Sequence, residues 1–406
     1  MNRVVITGIG IYSSIGRNLE EVKNSLYNGK SGIILDPERK DFGYQSCLTG
    51  KVDTPDLRGL LDRRARSCMP QQAEYAYVST LEALKTASIT PDYLDRSEAG
   101  VIFGSDSSAV PVIEAVDTIR ETRDTMMVSS GSVFQSMNST VSMNLSVIFR
   151  LKGINITASA ACASGAHAIG MGSIMIRHGY QKVIICGGAQ EVNLYCAGSF
   201  DALGAFSKLE SAPAKASKPF DKNRDGLVPS GGAATVILED LDHAVGRGAP
   251  ILGEVIGYGF SSDGTHVSVP ETEGQIRAVT MALKEAGLDP GKIDYINAHA
   301  TSTPVGDKTE AQTIDRIFGK LRPAVSSTKS MTGHELSMGG ASEIVYSLIM
   351  MNNSFIAPNI NFEEPDEFTA PLNIISQTTP KEFEIVLSNS FGFGGTNSCL
   401  IIKKYH

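Results

Sequence analysis

The segment from Ala158 to Ser173 restricts the possible folds of this chain more than any other stretch, because 12 of its 16 residues are Ala, Gly or Ser. Short side chains let another backbone approach closely, so we expect a helix over this segment to be buried at the centre of the fold. A predicted strand over residues 155–157 precedes the helix. The sharp strand-to-helix turn between them presents Cys162, as in a nucleophile elbow.

The rest of the chain alternates short β-branched runs with longer amphipathic segments, which is typical of an α/β protein. Apolar residues recur on one helical face in residues 71–87 and again in residues 275–286, where Gly287 provides a stop. Together with residues 155–157, the predicted strands are 3–7, 100–103, 182–186, 233–238, 252–257, 293–298, 324–326, 384–389 and 398–402.

The chain also contains a weak internal repeat. The glycine-punctuated run 251–259 resembles the run 3–10, and the pairs 101–105 with 295–299 and 155–159 with 324–328 continue the parallel. Such order indicates two diverged copies of one α/β unit. We therefore expect two related halves, residues 1–250, which carry Cys162, and residues 251–406.

Composition excludes several classes of protein. With 36 Lys+Arg against 44 Asp+Glu, the net charge is -8, and no basic stripe of a nucleic-acid binder is visible. No apolar run reaches the roughly 18 residues that span a membrane, and the first residues do not resemble a signal peptide. The six Cys form no CxxC pair. We expect a cytoplasmic enzyme with reduced thiols that binds neither nucleic acid nor a membrane.

Three features carry candidate chemistry. Helix-terminal N–H groups beside Cys162 favour thiolate, so we expect a lowered pKa for this thiol. His299 and His334 each follow a predicted strand of the second half, where α/β folds place their sites. Residues 388–397 form a glycine-rich turn that could offer backbone N–H donors to a reacting carbonyl. Each feature also has a structural interpretation: a small buried Cys, structural histidines and a plain hairpin.

Four ordered motifs, at residues 161–165, 297–303, 329–334 and 389–397, resemble the β-ketoacyl-acyl-carrier-protein synthases over essentially the whole chain. Residues 355–361 and 373–375 are most similar to the bacterial type I elongating enzymes, with type II close. The resemblance implies the thiolase fold, five layers αβαβα built from two related halves. It also implies a decarboxylative Claisen condensation, with substrates carried on the phosphopantetheine of acyl carrier protein and with no resident cofactor.

The resemblance assigns a role to each motif. Cys162 takes the acyl chain, and His299 and His334 donate to the oxygen of the malonyl-derived enolate. Backbone N–H groups of Cys162 and Phe393 hold the oxyanion of acyl transfer, and Phe391 and Phe393 gate malonyl entry. Further positions matched by the family are the pantetheine-binding Thr301 and Thr303 and a monovalent-cation set of Asn297, Glu343, Ser388 and Asn389. Lys329, close in sequence to His334, is expected to orient the site and not to act as a base, and Asp307 and Glu310, three residues apart, could pair with it.

One position departs from the family, because Ala300 stands where Gly usually follows the first catalytic His. If the backbone there needs a positive φ, Ala costs about 1 kcal/mol. The expected partners are acyl carrier protein and a second copy of the chain in a homodimer. Since carriers are acidic, we expect docking on Arg63, Arg64 and Arg66, extended by Arg120 and Arg123.

Alternatives remain open at this point. A ketosynthase of a polyketide-like pathway would use the same chemistry on another acyl chain. A non-catalytic, chain-length-factor-like subunit typically lacks the Cys that is present here at position 162. A biosynthetic thiolase would use a second Cys in a C-terminal loop, whereas Cys399 falls in the last predicted strand. Residues 105–150, with Met126, Met127 and Met137, are candidates for lining the acyl pocket.

Overall fold

The computed structural model describes residues 1–406 and contains fifteen strands and fifteen α-helices. None of its helices combines the length and the apolar character needed to cross a lipid bilayer. The strands are β1 (Val4–Ser13), β2 (Ile33–Leu35), β3 (Leu48–Gly50), β4 (Gly100–Gly104), β5 (Asn155–Ala158), β6 (Val183–Gln190), β7 (Gly232–Asp240), β8 (Gly253–Ser262), β9 (Tyr295–Asn297), β10 (Ala324–Ser326), β11 (Phe355–Ile356), β12 (Asn373–Ile374), β13 (Thr379–Pro380), β14 (Ile385–Gly392) and β15 (Thr396–Lys403).

The helices range from single turns to sixteen residues. They are α1 (Leu19–Asn28), α2 (Pro37–Phe42), α3 (Arg63–Arg66), α4 (Gln71–Thr86), α5 (Pro91–Arg96), α6 (Ala109–Thr122), α7 (Ser132–Gln135), α8 (Thr140–Ile148), α9 (Ser164–Arg177), α10 (Gly198–Ala202), α11 (Leu241–Gly246), α12 (Thr272–Ala286), α13 (Pro304–Phe318), α14 (Lys329–Thr332) and α15 (Gly339–Asn352).

The predicted elements are confirmed in kind, although their ends differ. Every predicted strand overlaps an observed one, and β1 continues well beyond residue 7 to Ser13. The two helices predicted from apolar periodicity are α4 and α12, and Gly287 caps α12 with φ +64°. The small hairpin β2–β3 and the pair β11–β13 were not predicted, because strands of two or three residues carry too little periodicity.

Strand order repeats in the two parts of the main sheet. The eleven strands follow the order β12-β10-β9-β14-β15-β8-β1-β7-β6-β4-β5. The set β5-β4-β6-β7-β1 matches the set β10-β9-β14-β15-β8, so the sequence pairs identified above (β1 with β8, β4 with β9, β5 with β10) occupy equivalent places. The two sets meet where β1 and β8 pair antiparallel through Val5 and Ile6. This arrangement confirms that the fold is built from two related sets of strands.

Helices complete five layers. Outside the first set of strands, α4 packs on β1, β6 and β7, and outside the second set α12 packs on β8 and β15, with α13 beside it. Between the two sets lie α9 and α15, which contact each other as well as strands on both sides. The αβαβα order implied by the resemblance is therefore confirmed, and α9 is the buried central helix that its composition predicts.

Small side chains are a steric requirement of this central layer. A Cβ placed on Gly340 of α15 would lie 2.6 Å from the Ala166 Cβ of α9, and one on Gly165 would lie 2.9 Å from the Ala341 nitrogen. Contacts this short do not occur between real Cβ atoms. The helices can approach each other only because these positions lack side chains.

Candidate active site

Cys162 lies in a strained turn between β5 and α9. A single 3₁₀ turn, Ala161–Ala163, follows the strand, and Ala161 has the positive φ of +46°. The Ser164 hydroxyl stabilises this conformation, since it donates to the Ala161 carbonyl at 2.7 Å and accepts from the Ala160 N–H at 2.8 Å. The turn holds the Cys162 side chain at the bottom of a cleft, where the residue is 8% exposed.

Both predicted histidines face this sulfur. The His334 Nε2 lies 3.0 Å from the Cys162 Sγ, and the His299 ring meets the His334 ring edge to face, with centroids 5.3 Å apart. His299 follows β9 and His334 follows α14, so the second half of the chain supplies both rings. Side-chain atoms of the three residues all lie within 4.8 Å of one another. The structure thus assembles the predicted Cys–His–His set.

Burial controls the protonation of this set. It raises the pKa of the Cys162 thiol to about 11, although the Phe393 N–H and the Lys329 charge act in the opposite direction. The prediction of a lowered thiol pKa is therefore wrong for the free enzyme, because desolvation of the thiolate outweighs the helix terminus. Burial first, and Lys329 second, also hold the pKa values of His299 and His334 well below 6.5. These shifts favour a neutral thiol and neutral imidazoles in the resting site.

Lys329 is buried below the histidines, but its partner is not the predicted one. Its ammonium pairs with the carboxylate of Glu343 on α15, and neither Asp307 nor Glu310 forms a salt bridge with it. The predicted pairing is wrong because α13 directs both of these carboxylates to backbone N–H groups of the preceding loop. Burial raises the pKa of Glu343 to about 8, while Lys329 acts to lower it.

Glu310 supports the loop that carries His299. Its carboxylate accepts the N–H groups of His299 at 2.9 Å and of Ala300 at 2.7 Å, and the Asn389 amide donates to it at 3.0 Å. Because Glu310 is fully buried, its pKa is raised to about 7. This carboxylate fixes where the His299 backbone, and hence the imidazole, stands relative to the sulfur.

Asp307 supports the next part of the same loop. It accepts the N–H groups of Thr303 at 3.2 Å and of Phe220 at 2.8 Å, and the Arg224 Nε lies 3.9 Å away. Burial raises the Asp307 pKa to about 6. Arg224, which sequence patterns did not single out, donates in turn to the carbonyls of Thr303 and Pro304.

Ala300 carries no conformational strain. The positive φ in this loop falls on Ser302, at +70°, and not on Ala300. The cost anticipated for replacing Gly at position 300 therefore does not arise. The Ala300 side chain packs instead in the apolar cluster around α13.

The mouth of the cleft contains the remaining predicted substrate contacts. The hydroxyls of Thr301 and Thr303 lie 3.1 Å apart, and both residues line the cleft with Phe391 and Phe393. Phe393 is 37% exposed and stacks on Phe200 at 5.8 Å. Phe200 lies on α10, far away in sequence, so no local pattern could have revealed this contact. No residue between 105 and 150 lines this cleft in the single chain.

The residues matched to a cation site divide between two faces of the sheet. Asn297 and Ser388 are neighbours in the parallel pair of β9 and β14, and therefore point to the same side, toward Glu343. The buried Glu343 Oε2 and Ser388 Oγ have no hydrogen-bond partner. Asn389 points to the opposite side, where it donates to Glu310.

The predicted docking arginines are only partly accessible. Arg63 and Arg64 of α3 are exposed and form no salt bridge. Arg66 is half-buried beside Asp56 and Glu74 in a shallow depression, with its Nε unpaired. Arg120 of α6 pairs with Asp117 at 3.5 Å.

Comparison with known proteins identifies the family. The sequence profile of the beta-ketoacyl synthase N-terminal domain matches residues 1–244, and that of the C-terminal domain matches residues 252–363. The chain belongs to the β-ketoacyl synthase family. It is 44% identical to 3-oxoacyl-[acyl-carrier-protein] synthase 1 of Haemophilus influenzae, over 100% of both chains.

Solved structures of other ketosynthases agree. A β-ketoacyl synthase from Burkholderia phymatum STM815 superposes with a TM-score of 0.95 at 36% identity, over 100% of both chains. The ketosynthase of AntDE:AntF, solved with the acyl carrier protein of a type II polyketide synthase, superposes with a TM-score of 0.90 at 28% identity, again over 100% of both chains. The chain therefore has the thiolase fold. In this ketosynthase Cys399 lies within β15 and is fully buried, unlike a second catalytic Cys on a loop.

Proposed function

We propose that this β-ketoacyl synthase is an acyltransferase that condenses an acyl chain with malonyl-acyl-carrier-protein, releasing CO₂ and 3-oxoacyl-acyl-carrier-protein. The observation that carries the proposal is the contact of 3.0 Å between the His334 Nε2 and the Cys162 Sγ, with His299 facing the same space. Relatives named 3-oxoacyl-[acyl-carrier-protein] synthase support the same reaction.

In the first half-reaction, the Cys162 sulfur attacks the carbonyl of an acyl thioester on the carrier. His334 accepts the thiol proton, which a neutral imidazole can do and an imidazolium cannot. The N–H groups of Cys162 and Phe393, which lie against the sulfur, stabilise the oxyanion. The C–S bond to the carrier then breaks, and the pantetheine sulfur leaves with the proton from His334.

In the second half-reaction, malonyl-carrier occupies the cleft and loses CO₂. Negative charge develops on its thioester oxygen. Because the acylated sulfur no longer donates to His334, the neutral His334 ring then carries its proton on Nε2, and His299 and His334 both donate to this oxygen. The resulting enolate carbon attacks the acyl-Cys162 carbonyl, and the C–S bond to Cys162 breaks. The sulfur takes up one proton from solvent, which restores the thiol. The Lys329–Glu343 pair keeps the histidines oriented and does not act as a base.

The test is a condensation assay with purified protein, acyl-carrier and malonyl-carrier. We expect the carrier product to gain the mass of one two-carbon unit, with one CO₂ released per product. Acylation of the protein without any 3-oxoacyl product would contradict the proposal. Carriers loaded with chains of different length then distinguish fatty acid elongation, which we propose as the pathway, from a polyketide-like pathway.

The substrates arrive on phosphopantetheine, so the chemistry needs no resident cofactor. We further propose a monovalent cation held by Asn297, Glu343 and Ser388, because the buried, unpartnered Glu343 Oε2 and Ser388 Oγ are oxygens suited to a hard cation. Such an ion would supply a fixed positive charge that stabilises the fold behind His299. Asn389 can contribute only its main chain there.

We also propose that the enzyme works in the cytoplasm, and that residues 1–250 and 251–406 are its two structural halves. The first half would contribute the nucleophile, and the second both histidines. The turn that carries Cys162 and the loops that carry His299 and His334 meet in one cleft, which supports this division of labour.

A homodimer is proposed from an uncovered apolar surface. On α6, Val112, Val116 and Ile119 form one face at spacings of four and three and are 45%, 40% and 36% exposed. Met126 and Phe134 extend it. An apolar surface of this extent is typical of a subunit interface, and a second copy of the chain presents the same surface.

We expect Val116→Asp to shift the protein from dimer to monomer in analytical ultracentrifugation, because the carboxylate would be buried without a partner. Val245→Asp, on the exposed face of α11, is the matched control and should leave the dimer intact. A wild-type protein that sediments as a monomer would contradict the proposal.

Carrier docking is proposed on Arg63 and Arg64, which are exposed and unpaired although the protein as a whole carries -8. Replacing both by Glu should raise KM for carrier-bound substrate tenfold or more, and the wild-type rate should fall with added salt. Acylation by a small carrier-free thioester should be unchanged.

The control is Lys403→Glu with Lys404→Glu, which changes the net charge equally at the end of β15 remote from the cleft. Equal losses with carrier-bound and carrier-free substrates would show that the two arginines are structural. If the control variant raised KM for carrier-bound substrate as much as the arginine variant does, net charge and not this surface would govern the encounter with the carrier.

A further inference from the structure

His167 lies in the first turns of α9, close behind Cys162, and it connects the two parts of the fold. Its Nδ1 is 2.6 Å from the Tyr258 hydroxyl of β8, and its Nε2 is 3.2 Å from the Thr396 hydroxyl of β15. None of the roles described above uses this half-buried ring. Both hydroxyls belong to the second set of strands, whereas α9 follows β5 of the first set in the chain.

The chain is built to accommodate this contact. Tyr258 is buried and its ring lies against α9 at Gly170, where an added Cβ would overlap the ring atoms. Gly170 therefore leaves room for Tyr258 to reach His167. The two rings pack edge to face, with centroids 6.0 Å apart.

Thr396 connects this contact to the oxyanion donors. It pairs with Gly392 across the β14–β15 hairpin, and a Cβ on Gly392 would lie 3.0 Å from the Thr396 methyl and 3.1 Å from the Cys162 nitrogen. The backbone N–H of Phe393, the next residue, is close enough to the Cys162 thiol to act toward a lower pKa of that thiol. Because the hairpin base is packed so tightly against the nucleophile turn, a shift of Thr396 moves the Phe393 N–H as well.

The chemistry of a neutral imidazole fits the two hydroxyls. Burial lowers the pKa of His167, which favours the neutral ring. In a neutral imidazole one nitrogen donates a hydrogen bond and the other accepts one. The ring can thus accept from one hydroxyl while it donates to the other.

We infer that His167 is a positioning residue, which anchors Thr396 and thereby holds the Phe393 N–H beside Cys162, where it donates to the oxyanion of acyl transfer. This inference rests on the proposed function, since it concerns the oxyanion of the same reaction. His167 does not line the cleft, and its side chain hydrogen-bonds to Tyr258 and Thr396 and not to the Cys162 sulfur. The proposed effect therefore passes through the hairpin base.

The experiment compares His167→Ala, Thr396→Val and the double variant in single-turnover acylation of Cys162 by a carrier-free thioester. Displacing one oxyanion donor should lower the acylation rate about tenfold or more in each single variant. The double variant should be no slower than the slower single one, because both changes break the same connection. KM should stay near the wild-type value, since the mouth of the cleft is untouched, and His167→Gln should restore part of the rate.

The matched control is His243→Gln. This histidine also joins two hydroxyl or carboxyl partners, Tyr93 and Glu239, but it lies outside the cleft. It should change the unfolding temperature without changing the acylation rate. Rates measured well below each variant's unfolding temperature separate positioning from general destabilisation.

Wild-type acylation rates in both His167→Ala and Thr396→Val would overturn the inference and leave the proposed function intact. A double variant whose loss of acylation rate equals the product of the two single-variant losses would overturn the inference as well. A wild-type enzyme that acylates no residue would instead refute the proposed function, so the two failures are distinguishable. If His167→Ala does not fold, Thr396→Val alone still decides, because Val keeps the methyl packing against Gly392.

Discussion

Cys162→Ala is expected to lose all covalent acylation and all condensation, while the remaining five Cys stay unlabelled. The reason is geometric, because Cys162 alone has an imidazole nitrogen at 3.0 Å that can accept its proton. Burial raises the pKa values of the free thiols Cys186, Cys196 and Cys399 with no such acceptor beside them. A buried thiol without a base is a poor nucleophile.

Intact mass after exposure to acyl-carrier measures this directly. Cys196→Ala is the control, because this half-buried thiol has a pKa raised to about 11, like that of Cys162, but only backbone carbonyls as hydrogen-bond partners. The Cys196→Ala variant should be acylated at Cys162 to the same extent as the wild type. An acyl adduct that persists in Cys162→Ala would exclude Cys162 as the sole nucleophile.

His299→Ala and His334→Ala are each expected to lower malonyl decarboxylation by about 10²–10³-fold, the usual effect of removing one donor from an oxyanion. Their acylation behaviour should differ. His334 contacts the sulfur, so His334→Ala should also acylate more slowly, whereas His299→Ala should acylate at a rate closer to that of the wild type. Release of labelled CO₂ from malonyl-carrier, measured beside single-turnover acylation, separates the two effects.

The same measurement has a pH signature. Because burial lowers the pKa values of both imidazoles, each stays neutral while the pH rises through 6.5, and the decarboxylation rate should show no histidine titration there. His178→Ala, exposed at the C-terminal end of α9 and outside the cleft lining, is the control and should leave decarboxylation unchanged. Normal decarboxylation by both active-site variants would refute the assigned roles. A rate that rises tenfold around pH 6.5 would show that at least one of these rings is charged in the resting enzyme.

Patterns along the chain predicted much of the fold. The alternation of strands and helices predicted the α/β class, and the small-residue segment predicted a buried central helix, which is α9. The weak internal repeat predicted two sets of strands in the same order. These inferences succeeded because periodicity and residue size are local properties that a sequence displays directly.

For the site, the sequence indicated the candidate reacting residues but not the contacts that hold them. Cys162, His299 and His334 were candidates because of their places beside strand ends, and the resemblance to the family assigned their roles; the structure brings the three residues together. The partner of Lys329 was predicted wrongly. Glu343 lies on α15, and its approach to Lys329 depends on how that helix packs. Phe200 against Phe393 and Arg224 beside Asp307 were missed for the same reason: each contact joins segments far apart in the chain.

What the sequence by itself determined, therefore, is the set of elements and their repeated order, together with the candidates for the reacting groups. The tertiary structure alone decided the protonation of those groups and which neighbouring side chains hold them in place. A helix terminus favours a thiolate, yet the thiol pKa is raised because packing removes Cys162 from water. Desolvation and long-range contacts depend on everything that surrounds a residue, and that is settled only when α9 and α15 close against both sets of strands.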